Sequence, residues 1–104
     1  MITTTIDYVP NREIGELLGI ARGSTVRSRH LGRDITAMFK NIVGGEIEEY
    51  TKLQADAREQ ALQRLVKDAE RLGADAVIGL RITTTVVSQG SAEILVYGTA
   101  VKLK

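Results

Sequence analysis

The sequence predicts an α+β subunit, a two-layer antiparallel sheet with helices on one face, in the order β-β-α-α-β-β. Three observations predict it. β-Branched residues dominate both ends of the 104-residue chain. Between them the apolar spacing changes to the 3.6-residue period of amphipathic helices. The closing segment reads as two strands about the turn Ser88-Gln89-Gly90-Ser91.

Each element has its own reason. Ile2-Thr3-Thr4-Thr5-Ile6 is a short β-branched strand, stopped by Val9-Pro10-Asn11. Glu13 to Val26 interleaves Ile14, Leu17, Leu18, Ile20 and Val26 with Gly15, Gly19 and Gly23. Three glycines at about 1 kcal/mol each oppose a helix, so this is a bent strand with glycines at bulges or close approaches. Leu31, Ile35, Met38, Phe39 and Ile42 then form one helical stripe, with Ser28 as N-cap and Gly44-Gly45 as the stop.

The second helix is the clearest element. Ile47, Tyr50, Ala57, Ala61, Leu65, Ala69 and Leu72 make its apolar face, and Gly73 follows as a C′ glycine. Residues 47–72 would span about 39 Å, longer than a small domain is wide, which points to a neighbouring copy. In the closing hairpin, Ile78, Leu80, Ile82, Thr84 and Val86 share one side with Ile94, Val96 and Ala100. Leu95, Tyr97, Val101 and Leu103 make the opposite register apolar too. An antiparallel sheet usually turns one polar face to water, so the second face is expected to be covered by another copy. The Thr3-Thr4-Thr5 run echoes Thr83-Thr84-Thr85, which allows a cross-strand threonine ladder.

Composition narrows the function. Hydrophobic residues make up 43% and charged residues 26%, ordinary for a single globular domain over residues 1–104 with a thin, aromatic-poor core. Fourteen basic residues against 13 acidic ones leave a net charge of +1, which argues against nucleic-acid binding. The absence of Cys excludes disulfides, thiolate metal sites and cysteine nucleophiles. No segment offers the ~20 apolar residues of a membrane helix, and the start has no basic, then apolar, leader pattern. A cytoplasmic protein without membrane contact or cofactor is expected.

The charge is unevenly laid out: +2 over residues 1–45, −3 over 46–75 and +2 over 76–104. This layout suits contacts between copies as well as a solvated helix face. His30 is the weak candidate for a metal ligand, but it stands among Arg27, Arg29 and Arg33, which repel cations. Those arginines with Arg22 and Lys40 could meet an anion, or the acidic helix of a neighbour. Gly44-Gly45-Glu46 before a helix reads as a turn, with Glu46 complementing the helix dipole. The serines lack any base context, so catalysis is not expected.

Asn41-Ile42-Val43-Gly44-Gly45-Glu46, Tyr50, Ala57-Arg58 and Ala61 together resemble the YbjQ-like family of small bacterial and archaeal proteins. Gly73-Ala74-Asp75-Ala76-Val77-Ile78-Gly79, Tyr97-Gly98-Thr99-Ala100-Val101 and the opening threonines extend the resemblance over the whole chain. The resemblance implies a dodecin-like subunit in a homopentameric ring, with strands of successive subunits joined and helices outside. It also brings the label of a heavy-metal-binding domain. Soft metals want thiolates or thioethers, and this chain offers only Met1 and Met38.

The resulting expectation is a non-enzymatic homo-oligomer, binding a small ligand or ion of unknown identity at clefts or pores. The alternative is an ion-binding protein using oxygen ligands and a symmetry-repeated His30. Gly44, Gly45, Glu46, Tyr50, Arg58, Gly73, Ala74, Asp75, Gly98 and Thr99 are expected to act structurally. Among them, Tyr50 and Arg58 would fix the helix, and Gly73 and Gly98 would set chain geometry.

Overall fold

The computed structural model describes residues 1–27, 48–88 and 91–104. In order they form β1 (Ile2–Thr3), β2 (Ile14–Arg27), α1 (Glu48–Arg71), β3 (Ala76–Ser88) and β4 (Ser91–Leu103). The four strands make one sheet in the order β1-β3-β4-β2. The helix expected around residues 31–42 and its Gly44-Gly45 stop lie outside the described residues.

The sheet is mixed rather than antiparallel throughout. β2 and β3 run antiparallel to β4, but β1 lies parallel to β3, pairing Ile2 with Ala76 and Thr3 with Val77. Hydrophobic alternation says which face a residue occupies and nothing about the direction of a distant neighbour, so this pairing was not readable. It also removes the threonine ladder: Thr3 meets Val77, whereas Thr84 meets Ile94.

After β1 the chain turns at Val9-Pro10-Asn11-Arg12, where the Arg12 N–H donates to the Val9 carbonyl at 3.1 Å. Proline at the second position and Asn11 at φ 63° suit a type II turn. β2 then carries register shifts at Ile14/Glu16 and Leu17/Gly19, the second at a glycine with φ 117°. Gly23 has a different task. A Cβ there would fall on the backbone of Ala61 and Leu65, so the helix seats directly on the strand. The glycine-rich strand is bent and closely approached, as its composition suggested.

α1 buries Ala57, Ala61, Leu65 and Ala69 completely against the sheet. Three alanines and one leucine give the helix a low-relief face, which the missing Cβ of Gly23 complements. Ala21, Val77, Leu80, Ile94, Val96 and Ala100 complete this core from the strands. The helix ends in a Schellman motif: Gly73, at φ 81°, donates to the Glu70 carbonyl at 2.9 Å, and Ala74 donates to Ala69 at 3.0 Å.

A smaller cluster of Val9, Ala76, Ile78 and Val101 lies on the other face, with Leu103 packed against it. Ile78 thus departs from the expected side. A register shift between Ile78 and Arg81, at Gly79 with φ 60°, reverses the alternation, so Val77 and Leu80 meet the helix while Ile78 meets Val9. The fold is long, 55 × 25 × 16 Å, with a radius of gyration of 17.0 Å against about 13 Å for a compact chain of 100 residues. Strands of 13 and 14 residues outrun the helix that covers them.

Candidate functional site

The seat of α1 on β2 creates a groove along the free edge of the sheet. Arg64, Lys67, Asp68 and Arg71 line it from the helix and Ile20 and Arg22 from the strand, around an open volume of ≈ 410 Å³. The helical residues share a face because they recur at three- and four-residue steps. Asp68 is the organiser. Its Oδ2 accepts the Arg22 backbone N–H at 3.0 Å, and its Oδ1 accepts Nε and Nη2 of Arg71 at 3.2 and 3.0 Å. The Arg22 N–H first, then the Arg71 guanidinium, hold the Asp68 carboxyl below the usual carboxylate range, against a smaller opposing effect of burial. Arg64 reaches back to the strand, donating from Nη1 to the Ser24 carbonyl at 2.5 Å.

A second open groove, ≈ 360 Å³, lies toward the N-terminal half of α1 between Arg27, Asp56, Glu59, Gln60 and Gln63. Arg27 Nη2 donates to Gln60 Oε1 at 3.4 Å. Arg27 Nε and the Oγ1 of buried Thr25 have no hydrogen-bond partner among the described residues. The helix therefore lines one groove with mainly basic side chains and the other with acids and amides.

The residues singled out in the sequence divide into three groups. His30, Gly44, Gly45 and Glu46 lie outside the described residues. Tyr50 falls on α1, and Arg58 is exposed there, bonded to none of the described residues. The third group is one junction. Gly73 and Ala74 close the helix, and the Asp75 N–H donates to the Val101 carbonyl at 2.9 Å. Asp75 Oδ2 accepts the Leu103 N–H at 2.9 Å, and its carbonyl accepts from Ile2 at 3.4 Å. Gly98 has no room for a side chain, since a Cβ would lie 2.6 Å from Val77 Cγ1. Thr99 pairs with both Ile20 and Ile78 across the sheet.

The groove residues Arg22, Arg64, Lys67, Asp68 and Arg71 were not grouped in the sequence. The i, i+3, i+7 spacing of Arg64, Lys67 and Arg71 was a visible signal. The contribution of Arg22, 42 or more positions away in the chain, was not visible without the fold. No helix among the described residues is long and apolar enough to cross a membrane.

Comparison with known proteins places these features. A family model described as "Putative heavy-metal-binding", the YbjQ family, matches residues 1–104. A UPF0145 protein of Archaeoglobus fulgidus is 56% identical over 104 residues, covering 100% of this chain and 96% of its own. Similar proteins of the same name come from Fervidobacterium nodosum, 58% identical with 100% and 96% covered, and Thermotoga maritima, 54% identical with 100% and 98% covered. Among solved structures, a Pediococcus pentosaceus protein of unknown function from the DUF74 family aligns with a TM-score of 0.68 at 20% identity. That alignment covers 100% of this chain and 98% of the other, a likeness of fold. With the whole chain matched and relatives more than half identical, the protein belongs to the YbjQ family.

Proposed function

We propose that the chain is a non-enzymatic subunit of a homo-oligomer that holds a small ligand or ion between copies. The stoichiometry is the pentameric ring that the family resemblance implies. One observation carries the reading: large apolar side chains stand in water on both faces of the sheet. Opposite the helix, Leu17 and Val26 are 70% and 57% exposed. On the helix face, where Ile82 pairs with Val96 and Val86 with Ala92, both lie beyond the helical cover at 50% and 75% exposure. Burying such side chains against a second copy gains about 25 cal/mol per Å². Soluble monomers rarely leave large contiguous apolar patches open.

The heavy-metal description does not fit the donors described. Soft metals select thiolates and thioethers. The chain has no Cys, Met1 is exposed, and no group of three His, Asp or Glu residues converges among the described residues. The non-enzymatic reading rests on the same inventory, with one His and no Cys in the whole sequence.

Light scattering tests the assembly. The wild type is expected at a multiple of the 11.3 kDa chain mass, five for the ring. Val86→Asp is expected to give smaller species with an unchanged circular dichroism spectrum. A wild type that stays at 11.3 kDa at micromolar concentration overturns the reading.

A further inference from the structure

We propose that the groove between α1 and the edge of β2 is an anion site, taking a small molecule that carries a doubly charged phosphate or an equivalent oxyanion. Four cations line it, Arg22, Arg64, Lys67 and Arg71, against the single carboxylate of Asp68. All four cationic side chains are exposed. A phosphate monoester carries close to two negative charges at neutral pH, which this excess of three positive charges more than offsets.

The hydrogen bonds decide which cations are available. Asp68 is fully engaged, with one oxygen on the Arg22 backbone and the other on two nitrogens of Arg71. It orients the Arg71 guanidinium, and the charge of Arg22 also acts on the carboxylate at longer range. Lys67 and the Arg22 side chain make no hydrogen bond or ion pair among the described residues. Arg64 uses one nitrogen on Ser24 and keeps the rest of its fork. Guanidinium forks fit phosphate oxygens in pairs, and Lys67 adds a point charge.

Helix stability alone does not account for the cluster. Cations favour the last turn of a helix, which explains Arg71. Arg64 lies two turns from that end, and Arg22 comes from a strand. Arg64–Lys67 and Lys67–Arg71 are like-charge neighbours at i, i+3 and i, i+4, an arrangement that costs a few tenths of a kcal/mol per pair. An anion in the groove reverses that cost.

Ile20, 66% exposed, supplies an apolar wall beside the charges. The groove is open, so a ligand held at its phosphate can lay an attached apolar group against Ile20. The ligand class is therefore a phosphate ester with a modest apolar group. The chain's overall charge of +1 disfavours a nucleic-acid backbone as the source of the phosphate. The site is built within one chain and does not rest on the assembly proposed above.

Calorimetric titration of the full chain at low ionic strength, with inorganic phosphate and phenyl phosphate as probes, tests it. Both are expected to bind saturably, phenyl phosphate at least threefold tighter, and the preference is expected to shrink in Ile20→Ser. Arg22→Ala and Lys67→Ala, both at exposed side chains, are each expected to weaken phosphate about tenfold, whereas Lys102→Ala on β4 leaves it unchanged. Binding is expected to survive in Val86→Asp, which separates this site from the proposed interface. No saturable binding of either probe, or wild-type affinity in both Arg22→Ala and Lys67→Ala, overturns the proposal. So does an oligonucleotide that binds more tightly than phenyl phosphate and displaces it.

Discussion

The two ends of the β3–β4 ribbon contrast in how completely one chain satisfies them. At the end holding both termini, backbone groups from four segments interlock. Thr4 donates to Val77 at 3.0 Å, Gly79 to Ile6 at 2.9 Å, and Lys104 to Glu13 at 2.9 Å, while Asp75 ties the helix exit to β4. Arg81 adds Nη1 bonds of 2.9 Å to the carbonyls of Thr5 and Leu80. At the far end, Ile82, Val86 and Val26 are exposed, and Thr25 Oγ1 and Arg27 Nε have no partner among the described residues. Buried polar atoms are nearly always paired in finished structures. Apolar exposure does not separate the ends, since Ile6, Tyr8 and Leu17 are exposed at the near one as well. The contrast teaches that the near end pairs its polar backbone within one chain, whereas the far end keeps two buried polar atoms without a partner among the described residues.

Three substitutions probe that division, beginning with the largest effect. Gly23→Ala places a methyl group on the helix backbone, where no side-chain rotation relieves it. Urea denaturation at fixed protein concentration should show a loss of about 3 kcal/mol or more. A loss under 1 kcal/mol would mean that α1 is not seated as described.

Asp68→Asn removes the charge that anchors both the strand edge and Arg71, and should cost about 1 kcal/mol at pH 7. The pH dependence has a definite sign. The folded carboxyl titrates below its ordinary value, so its stabilisation is present above about pH 3.9 and is lost as pH falls through the lower folded value. Wild type and variant should therefore converge in stability on acidification below about pH 3.9. Curves that stay parallel down to pH 2 would remove the Asp68 anchor from the account.

At the far end, Thr25→Val exchanges a buried hydroxyl with no partner among the described residues for a methyl group of similar size. It should raise the thermal midpoint, by the equivalent of roughly 0.5–1 kcal/mol. A destabilisation would show that Oγ1 has a partner in solution, which sharpens the search for what completes this end.

Much of the fold was legible because its signals are local. Ala57, Ala61, Leu65 and Ala69 repeat at helical spacing, Gly73 follows the last apolar turn, and Gly19 and Gly23 sit where a strand must bulge or be approached. Three features escaped for physical reasons. β1 pairs with β3 across more than seventy residues, and alternation carries no information about such pairing. The reversal at Gly79 was hidden because residues on both faces of β3 and β4 are apolar, so either register looked acceptable. The groove needed Arg22 from a strand and Arg64, Lys67 and Arg71 from a helix, and only the seat at Gly23 brings them together.

The pair of contacts from α1 to β2 also bears on which strands could add to the sheet. β2 ends the sheet, and an uncovered edge offers its N–H and C=O groups to any passing strand. Asp68 occupies the N–H of Arg22 and Arg64 occupies the carbonyl of Ser24, two groups on the same stretch of that edge. One turn of helix thus acts as a stop: a strand adding along β2 must end before residue 22 or begin after residue 24. Full-length strand addition along β2 is blocked, while short, registered additions on either side stay open.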